Sequence, residues 1–209
     1  MTSKIGFVIH PEELDDTWAE ILPDLGVSVL GIHPVGGVEA HISMERLIRQ
    51  VKDPAFQKRV TALEALGVSV EYECHALSYL LPRDLIHLNP EWFRMNKEGC
   101  RTADSNCCPS NIEALEAIST ACEKLAVDLP TANHRYHLWA DDIPDGGCHC
   151  ERCQSMTRSD QALTIVHAML NGLKRTDPAA KLSYLAYDET MNAPQLKPHP
   201  DVFLEYAPM

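Results

Sequence analysis

Residues 4–26 read KIGFVIHPEELDDTWAEILPDLG, and the way this stretch divides decides the fold. KIGFVIH has the apolar, β-branched character of a strand. The segment after it opens on Pro11, carries acidic residues in its first turn and closes on Gly26, which are the boundary signals of a helix. A strand feeding directly into a helix is a βα unit. An open nucleotide-binding sheet would carry a glycine-rich turn at this junction; here the junction is His10 and Pro11.

The unit recurs along the chain. VSVLGIH (27–33) is a second strand, a helical region runs from about residue 43 to 66 with a break near Pro54, and GVSVEYECHAL (67–77) is a third strand. A long irregular insert follows, through residue 111. The helix IEALEAISTACEKLAVDL (112–129) keeps Ile112, Leu115, Ser119 and Cys122 on one face, with Ser110 or Asn111 placed to cap it. RYHLWADD (135–142) is a fourth strand, and SDQALTIVHAMLNGLKRTDP (159–178) is a helix with Leu163, Val166, Leu170 and Leu173 aligned. KLSYLAYDE (181–189) and DVFLEYAPM (201–209) are a fifth and a sixth strand.

Strands alternating with helices predict a parallel sheet. Polar residues gather where the strands end: His10, His33, His75, Asp141 with Asp142, Asp188 with Glu189, and Glu205. In a (β/α)8 TIM-type barrel all these ends open onto one face, where such barrels place their chemistry. The expected fold is therefore α/β, a barrel in one domain over residues 1–209. Six strands fall short of eight, and a complete barrel usually takes about 250 residues. Three explanations stand: a fragment of a longer chain, strands supplied from elsewhere, as in a homo-oligomer, or an incomplete barrel with an exposed sheet edge.

Composition narrows the function classes. Hydrophobic residues make up 45% and charged residues 23% of the 209, the balance of an ordinary globular protein. A formal charge of -12 opposes the basic footprint of a nucleic-acid binder. No segment has the roughly 20 apolar residues of a membrane helix. The N-terminus lacks the flanks of a signal peptide, so a cytoplasmic location is expected. Eight cysteines, clustered and without a secretory signal, favour metal ligands or thiols over a disulfide framework. Cys74 and Cys122 lie in apolar patterns and read as buried thiols.

The pair Asp141-Asp142 suits glycoside hydrolysis, in which one carboxyl protonates the leaving oxygen while another assists. Strand alternation puts Leu138, Ala140 and Asp142 on one face and Trp139 and Asp141 on the other, so only one of the two faces straight into the barrel mouth. The bland alternative is a turn cap before Pro144. Asp188 and Glu205 are candidates for the opposing carboxylate or for an acceptor of sugar hydroxyls, and Glu189 reads as a loop residue. Trp139 and Tyr187 offer faces for a sugar ring, as do Trp92 and Tyr206, although aromatics near strand ends also serve packing. His10, His33 and His75 suit substrate contact; as a metal set they lack HxH or HExxH spacing.

Cys148, Cys150 and Cys153 form CxCxxC beside Gly146 and Gly147, a soft ligand set for a structural zinc. The expected fourth ligand is Cys108, immediately before the helix-opening PSN, with Cys107, Cys100 and His149 as alternatives. Free thiols or a bridge between the two loops are the non-metal readings.

NPEWFRMNKEGCR, CCPSN, the DD followed by CHCERC, and LAYDETMNAPQLKPHPDVFLEY occur in that order over residues 75–207. Together they resemble a bacterial family, the domain of unknown function numbered 4838, related to family 20 hexosaminidases and family 67 alpha-glucuronidases. The resemblance implies a (β/α)8 barrel and a role in glycan breakdown. It also implies an acid pair on the fourth strand, where family 20 enzymes carry Asp-Glu and this chain has Asp141-Asp142, one methylene shorter at the second position. The expected function is glycoside hydrolysis of an oligosaccharide or polysaccharide, with a non-catalytic carbohydrate-binding barrel and a histidine-based metal hydrolase as alternatives.

Overall fold

The computed structural model describes residues 4–208. Its six strands are β1 (Gly6–Ile9), β2 (Val29–Ile32), β3 (Ser69–His75), β4 (Arg135–Trp139), β5 (Lys181–Ala186) and β6 (Val202–Tyr206). They form one sheet in the order β1-β2-β3-β4-β5-β6, every pair parallel. A doubly wound sheet reverses its strand order at a switch point. A sheet that adds each new strand to the same edge is the singly wound order of a barrel. The chain carries six consecutive strands of that pattern as a curled half-barrel, in which β1 and β6 each have one neighbour among the described residues.

The helices are α1 (Trp18–Ile21), α2 (Ala40–Val51), α3 (Pro54–Ala65), α4 (Leu77–Leu80), α5 (Ile112–Asp128) and α6 (Arg158–Thr176). The predicted break at Pro54 separates α2 from α3. The Asp53 carboxylate accepts from the backbone N–H of Ala55 at 2.8 Å, and Pro54 supplies the first helical position. Asn111 caps α5 by accepting from Ala114 N–H at 2.9 Å, and Thr157 caps α6. The helix expected over 11–26 is reduced to a 3-10 turn at Pro11–Glu13 and the single turn of α1. Asp15 explains the interruption: its carboxylate accepts from Thr17 N–H at 2.9 Å, a local bond that competes with the helical ladder. Among the described residues, no helix is long and apolar enough to cross a membrane.

Alternation along the strands sorts the two faces. Leu30, Ile32, Val70, Tyr72, Cys74, Tyr136, Leu138, Leu182 and Tyr184 are buried on the side where the helices lie. Cys74 and Cys122 are wholly enclosed, and burial pushes both thiols well up from their ordinary value. The opposite, concave side carries Gly31 beside Glu71, Glu73 beside His137, His75 beside Trp139, and Leu185 beside Glu205. Parallel strands are usually apolar on both faces. Here the concave face is polar over three strands, and that departure marks the site.

Two predicted strands end early. β4 stops at Trp139 and β5 at Ala186, so neither Asp141-Asp142 nor Asp188-Glu189 lies in strand geometry. The β4–β5 ladder also holds only at Arg135↔Lys181 and Tyr136↔Leu182, which leaves the two strands splayed beyond those positions.

Candidate active site at the strand ends

The mouth of the half-barrel is a cavity lined by Val8, His33, Glu73, His75, Trp139, Asp142, Leu185, Tyr187, Glu205 and Ala207. Every strand except β2, which sends His33 from just past its end, contributes a residue at or beside its C-terminal half. A second hollow shares His75, Trp139, Asp142, Leu185 and Tyr187 and runs into the β4–β5 splay, where Leu138, Ile165, Val166 and Met169 make apolar walls. Asp188 and Glu189 stand at the entrance of this hollow. Asp188 holds a left-handed backbone, φ 45°, a conformation that Asp tolerates better than most residues. Glu189 lies 3.8 Å from Arg158 Nε.

The adjacent aspartates separate into two roles. Asp142 is exposed and lines both hollows. Asp141 is withdrawn: its side chain is 5% exposed and paired with Arg83. It also accepts from the backbone N–H groups of Asn106 at 2.7 Å and Ser78 at 3.2 Å. Asn106 returns the bond, its Oδ1 accepting from Asp141 N–H at 2.9 Å while its Nδ2 donates to Gly146 O at 2.8 Å. This reciprocal latch corrects two expectations. Asp141 is a positioning residue that ties the β3–α5 insert to the end of β4, so it has no free carboxylate to assist chemistry. The strand alternation that aligned it with Trp139 fails because the latch pulls the chain out of the strand.

The histidines form a ladder. His10 Nδ1 bonds His33 O, His33 Nδ1 bonds Glu73 O and His75 Nδ1 bonds Ala140 O, each at 2.7 Å. A carbonyl only accepts, so each Nδ1 carries the proton. Burial pulls the His33 pKa below its ordinary value, so this ring is neutral and its Nε2 is an acceptor. His33 and His75 stand 5.6 and 5.2 Å from the Trp139 ring, centre to centre, in one aromatic wall of the mouth. His10 is exposed and sits outside that wall, 6.3 Å from His33. Among the described residues, two groups have ligand atoms close enough to hold a metal, and neither includes His10, His33 or His75. The second group is Glu73, His137 and Glu205.

Sequence reasoning that looked only at strand ends missed what lies one pair deeper. Glu71, buried on β3, accepts from His137 Nε2 at 2.6 Å, Asn133 Nδ2 at 2.6 Å and Arg135 Nε at 3.1 Å. His137 Nδ1 donates to Glu205 at 2.9 Å, and the Trp139 indole N–H donates to the same carboxylate at 3.1 Å. Burial works against a charged His137, but the two carboxylates outweigh it and raise its pKa to about 9. Burial likewise opposes ionised Glu71, and His137 and Arg135 bring it below its ordinary value. Glu73 has no donor to its carboxyl among the described residues, and the charge on His137 offsets its burial only in part. Burial first, then the charge on Glu205, push its carboxyl up to about 7. The signal was present in SVEYECH, where Glu71, Glu73 and His75 alternate with Val70, Tyr72 and Cys74.

Behind the rim, the sulfurs of Cys108, Cys148, Cys150 and Cys153 lie within 4.8 Å of one another, all four residues buried. Cys108 Sγ is 3.6 Å from Cys150 Sγ and 3.8 Å from Cys153 Sγ. Met95 N–H and Arg101 Nη1 point at Cys148 Sγ at 3.3 and 3.8 Å, and Ser110 Oγ lies 3.0 Å from Cys153 Sγ. Of the alternative ligands, Cys107 belongs to the main core, Cys100 is exposed, and His149 is engaged with Asp145 and Arg158.

The sequence model of a family described as domain of unknown function (DUF4838) matches residues 43–209. No curated protein matches. Among solved structures, the chain is similar to the beta-N-acetylhexosaminidase from Bacteroides fragilis NCTC 9343, with a TM-score of 0.53 at 14% identity over 91% of this chain and 42% of the other. It is similar to a cold-adapted beta-galactosidase from Rahnella sp. R3, with a TM-score of 0.53 at 14% identity over 96% and 38%. A third likeness is the beta-galactosidase from the psychrophilic Marinomonas ef1, at 0.50 and 11% over 88% and 37%. At these identities the likeness is one of fold. The chain spans about two fifths of the length of the structures it matches.

Proposed function

The chain belongs to the DUF4838 family, and on that footing we propose that its strand-end mouth binds a carbohydrate and hydrolyses a glycosidic bond by carboxyl chemistry. The observation that carries this reading is the convergence of Asp142, Glu73 and Glu205 with Trp139, Tyr187, His33 and His75 on one cavity at the C-terminal ends of parallel strands. Carboxylates and ring nitrogens bind sugar hydroxyls, an indole face packs on the apolar face of a pyranose, and paired carboxyls supply acid and base. Asp142, exposed at the rim, is placed to take the proton of the attacking water. Asp188 stands at the neighbouring entrance and contacts the substrate's outer part. The likeness to glycosidases of known structure supports the reading through the fold.

The test is hydrolysis of a panel including β-galactosides and β-N-acetylglucosaminides, with Asp142→Asn as the control. Loss of turnover by about 10²-fold or more with retained glycan binding is expected. Full turnover in Asp142→Asn removes its role, and binding without product release over long incubation replaces the hydrolase by a carbohydrate-binding barrel.

We also propose that Cys108, Cys148, Cys150 and Cys153 hold a structural zinc. Ligands at about 2.3 Å around a tetrahedral ion lie about 3.8 Å apart, and two of the sulfur pairs stand at 3.6 and 3.8 Å, too far for a disulfide of about 2.05 Å. The N–H groups of Met95 and Arg101 are directed at sulfur as they are at metal thiolates. Purification without added metal should leave about one zinc per chain, and a chelator should lower the thermal midpoint. Zinc well below half an equivalent together with four freely titrating thiols rejects the site.

A further inference from the structure

We propose that Glu73 is the proton-bearing acid of the mouth, held in that state by its burial and by Glu205, and given its place by a recess that Gly31 leaves in β2. The assignment rests on the glycosidase reading of the mouth for its catalytic consequence, but the location of the proton is a separate claim.

The geometry is specific. Glu73 lines the mouth, and among the described residues its carboxyl has no hydrogen-bond partner, whereas its main-chain oxygen accepts from His33. Its carboxyl oxygen, a ring nitrogen of His137 and a carboxyl oxygen of Glu205 lie within 4.8 Å of one another. Both nitrogens of His137 are already committed to Glu71 and Glu205, so the imidazolium acts on Glu73 through its charge alone and gives it no hydrogen bond. A Cβ on Gly31 would stand 2.4 Å from Glu73 Oε1 and 2.8 Å from its Cδ, so the carboxyl occupies space that any other residue at position 31 would take.

Burial and the neighbouring carboxylates favour the protonated form, and His137 opposes them only in part. β6 presents Glu205, β3 itself presents Glu71 one pair below, β4 presents His137, and β2 presents His33, neutral through burial. β1 and β5 face Glu73 with Val8 and Leu185. Two carboxyls this close do not both ionise readily. Glu205 has two donors to hold its charge and Glu73 has none, so the proton resides on Glu73.

In the hydrolytic step Glu73 gives its proton to the glycosidic oxygen as the C1–O bond breaks, with the bonding pair leaving on that oxygen as a neutral alcohol. Water adds to C1 and its proton passes to Asp142. Solvent then moves that proton from Asp142 back to Glu73, and the sum is one bond hydrolysed by one water. Glu205 faces the positive charge that develops at C1.

Two measurements test this. With the glutamate carboxyls labelled with carbon-13, NMR titration should show one resonance with a midpoint near pH 7, absent in Glu73→Gln and shifted down by about one unit or more in Glu205→Gln. A Glu73 midpoint below pH 5 overturns the proposal. In kinetics, Glu73→Gln should lose about 10²- to 10⁴-fold on alkyl glycosides, whose leaving group needs the proton, and under about tenfold on a dinitrophenyl glycoside, whose leaving group does not. Equal losses on both substrates overturn the catalytic role. If no glycoside is turned over at all, the glycosidase reading falls, while the titration still decides where the proton is.

Discussion

The neighbouring aspartates make opposite predictions, and the comparison is sharpest with Asp141→Ala against Asp142→Ala. Removing the Asp141 carboxylate strands three donors: the Arg83 guanidinium and the backbone N–H groups of Asn106 and Ser78. Breaking a buried charge pair from one side costs about 3–5 kcal/mol. Arg83 is 20% exposed and keeps its bond to Asn106 O at 2.9 Å, so part of its charge is rehydrated or still satisfied. The Asn106 side chain also still accepts from residue 141 N–H. The loss should therefore fall below that range, at about 2–3 kcal/mol. For a chain of this size 1 kcal/mol moves the thermal midpoint by about 2–4 °C, which gives a drop of about 4–12 °C. Asp142→Ala removes an exposed carboxylate that none of the hydrogen bonds uses and should stay within about 0.5 kcal/mol. Urea unfolding with a common m-value, checked by thermal melts, reads both. If Asp141→Ala unfolds at the wild-type midpoint, or Asp142→Ala is equally destabilised, the division of labour between the two is refuted.

The interior charges predict a pH dependence of stability with a definite sign. His137 is raised from 6.5 to about 9 in the folded chain, so its contribution is complete below pH 6.5 and is lost as pH rises through about 9; Glu73, raised from 4.5 to about 7, contributes fully below pH 4.5 and loses that contribution as pH rises through about 7. Urea midpoints should fall between pH 7 and 9 in the parent and flatten there in His137→Gln; an unchanged slope in that variant disproves the assignment. Gly31→Ala should displace the flexible Glu73 carboxyl rather than the backbone, costing about 1 kcal/mol or less while shifting the Glu73 midpoint by NMR, and an unmoved midpoint contradicts the recess. Glycan binding should change the fluorescence of Trp139, and Trp139→Phe should abolish that signal while Trp18 and Trp92 remain; a signal that survives the substitution places the sugar elsewhere.

The sequence was legible where one local rule dominated. The six strands and the helices α2, α3, α5 and α6 follow from hydrophobic period, from the break at Pro54 and from Asn111 as a cap, whereas the single turn of α4 lies in a segment that reads as irregular. The first helix was misread because the side chain of Asp15 offers its backbone a nearer partner than the helical ladder does. The strand-end histidines were found by their recurrence, but their ladder of Nδ1-to-carbonyl bonds depends on strand register and could not be read from spacing. Asp141 and Asp142 are indistinguishable in sequence, since their separation depends on Asn106 and Arg83, more than thirty residues upstream. Glu73 and His137 were missed for a different reason. Polar alternation within a parallel strand was visible in SVEYECH and YHLW, but attention to strand ends passed over it.

Two kinds of support therefore meet at the mouth, and they have different physical origins. Glu73, Glu205 and Trp139 are placed by strand register and by the charges around His137, so their geometry is as firm as the sheet. Asp142 lies past the end of β4 on a loop, and nothing in the strand fixes it. Its position is set from both sides. Before it, the Asp141–Asn106–Gly146 latch ties the loop to the β3–α5 insert, and after it the four cysteines join the same two segments through Cys108. A loop held at both flanks loses less freedom when substrate arrives than one held at a single point. With the proposed zinc in place, the sulfur cluster outside the cavity would fix the chain that carries Asp142, while the proton on Glu73 is governed by the sheet.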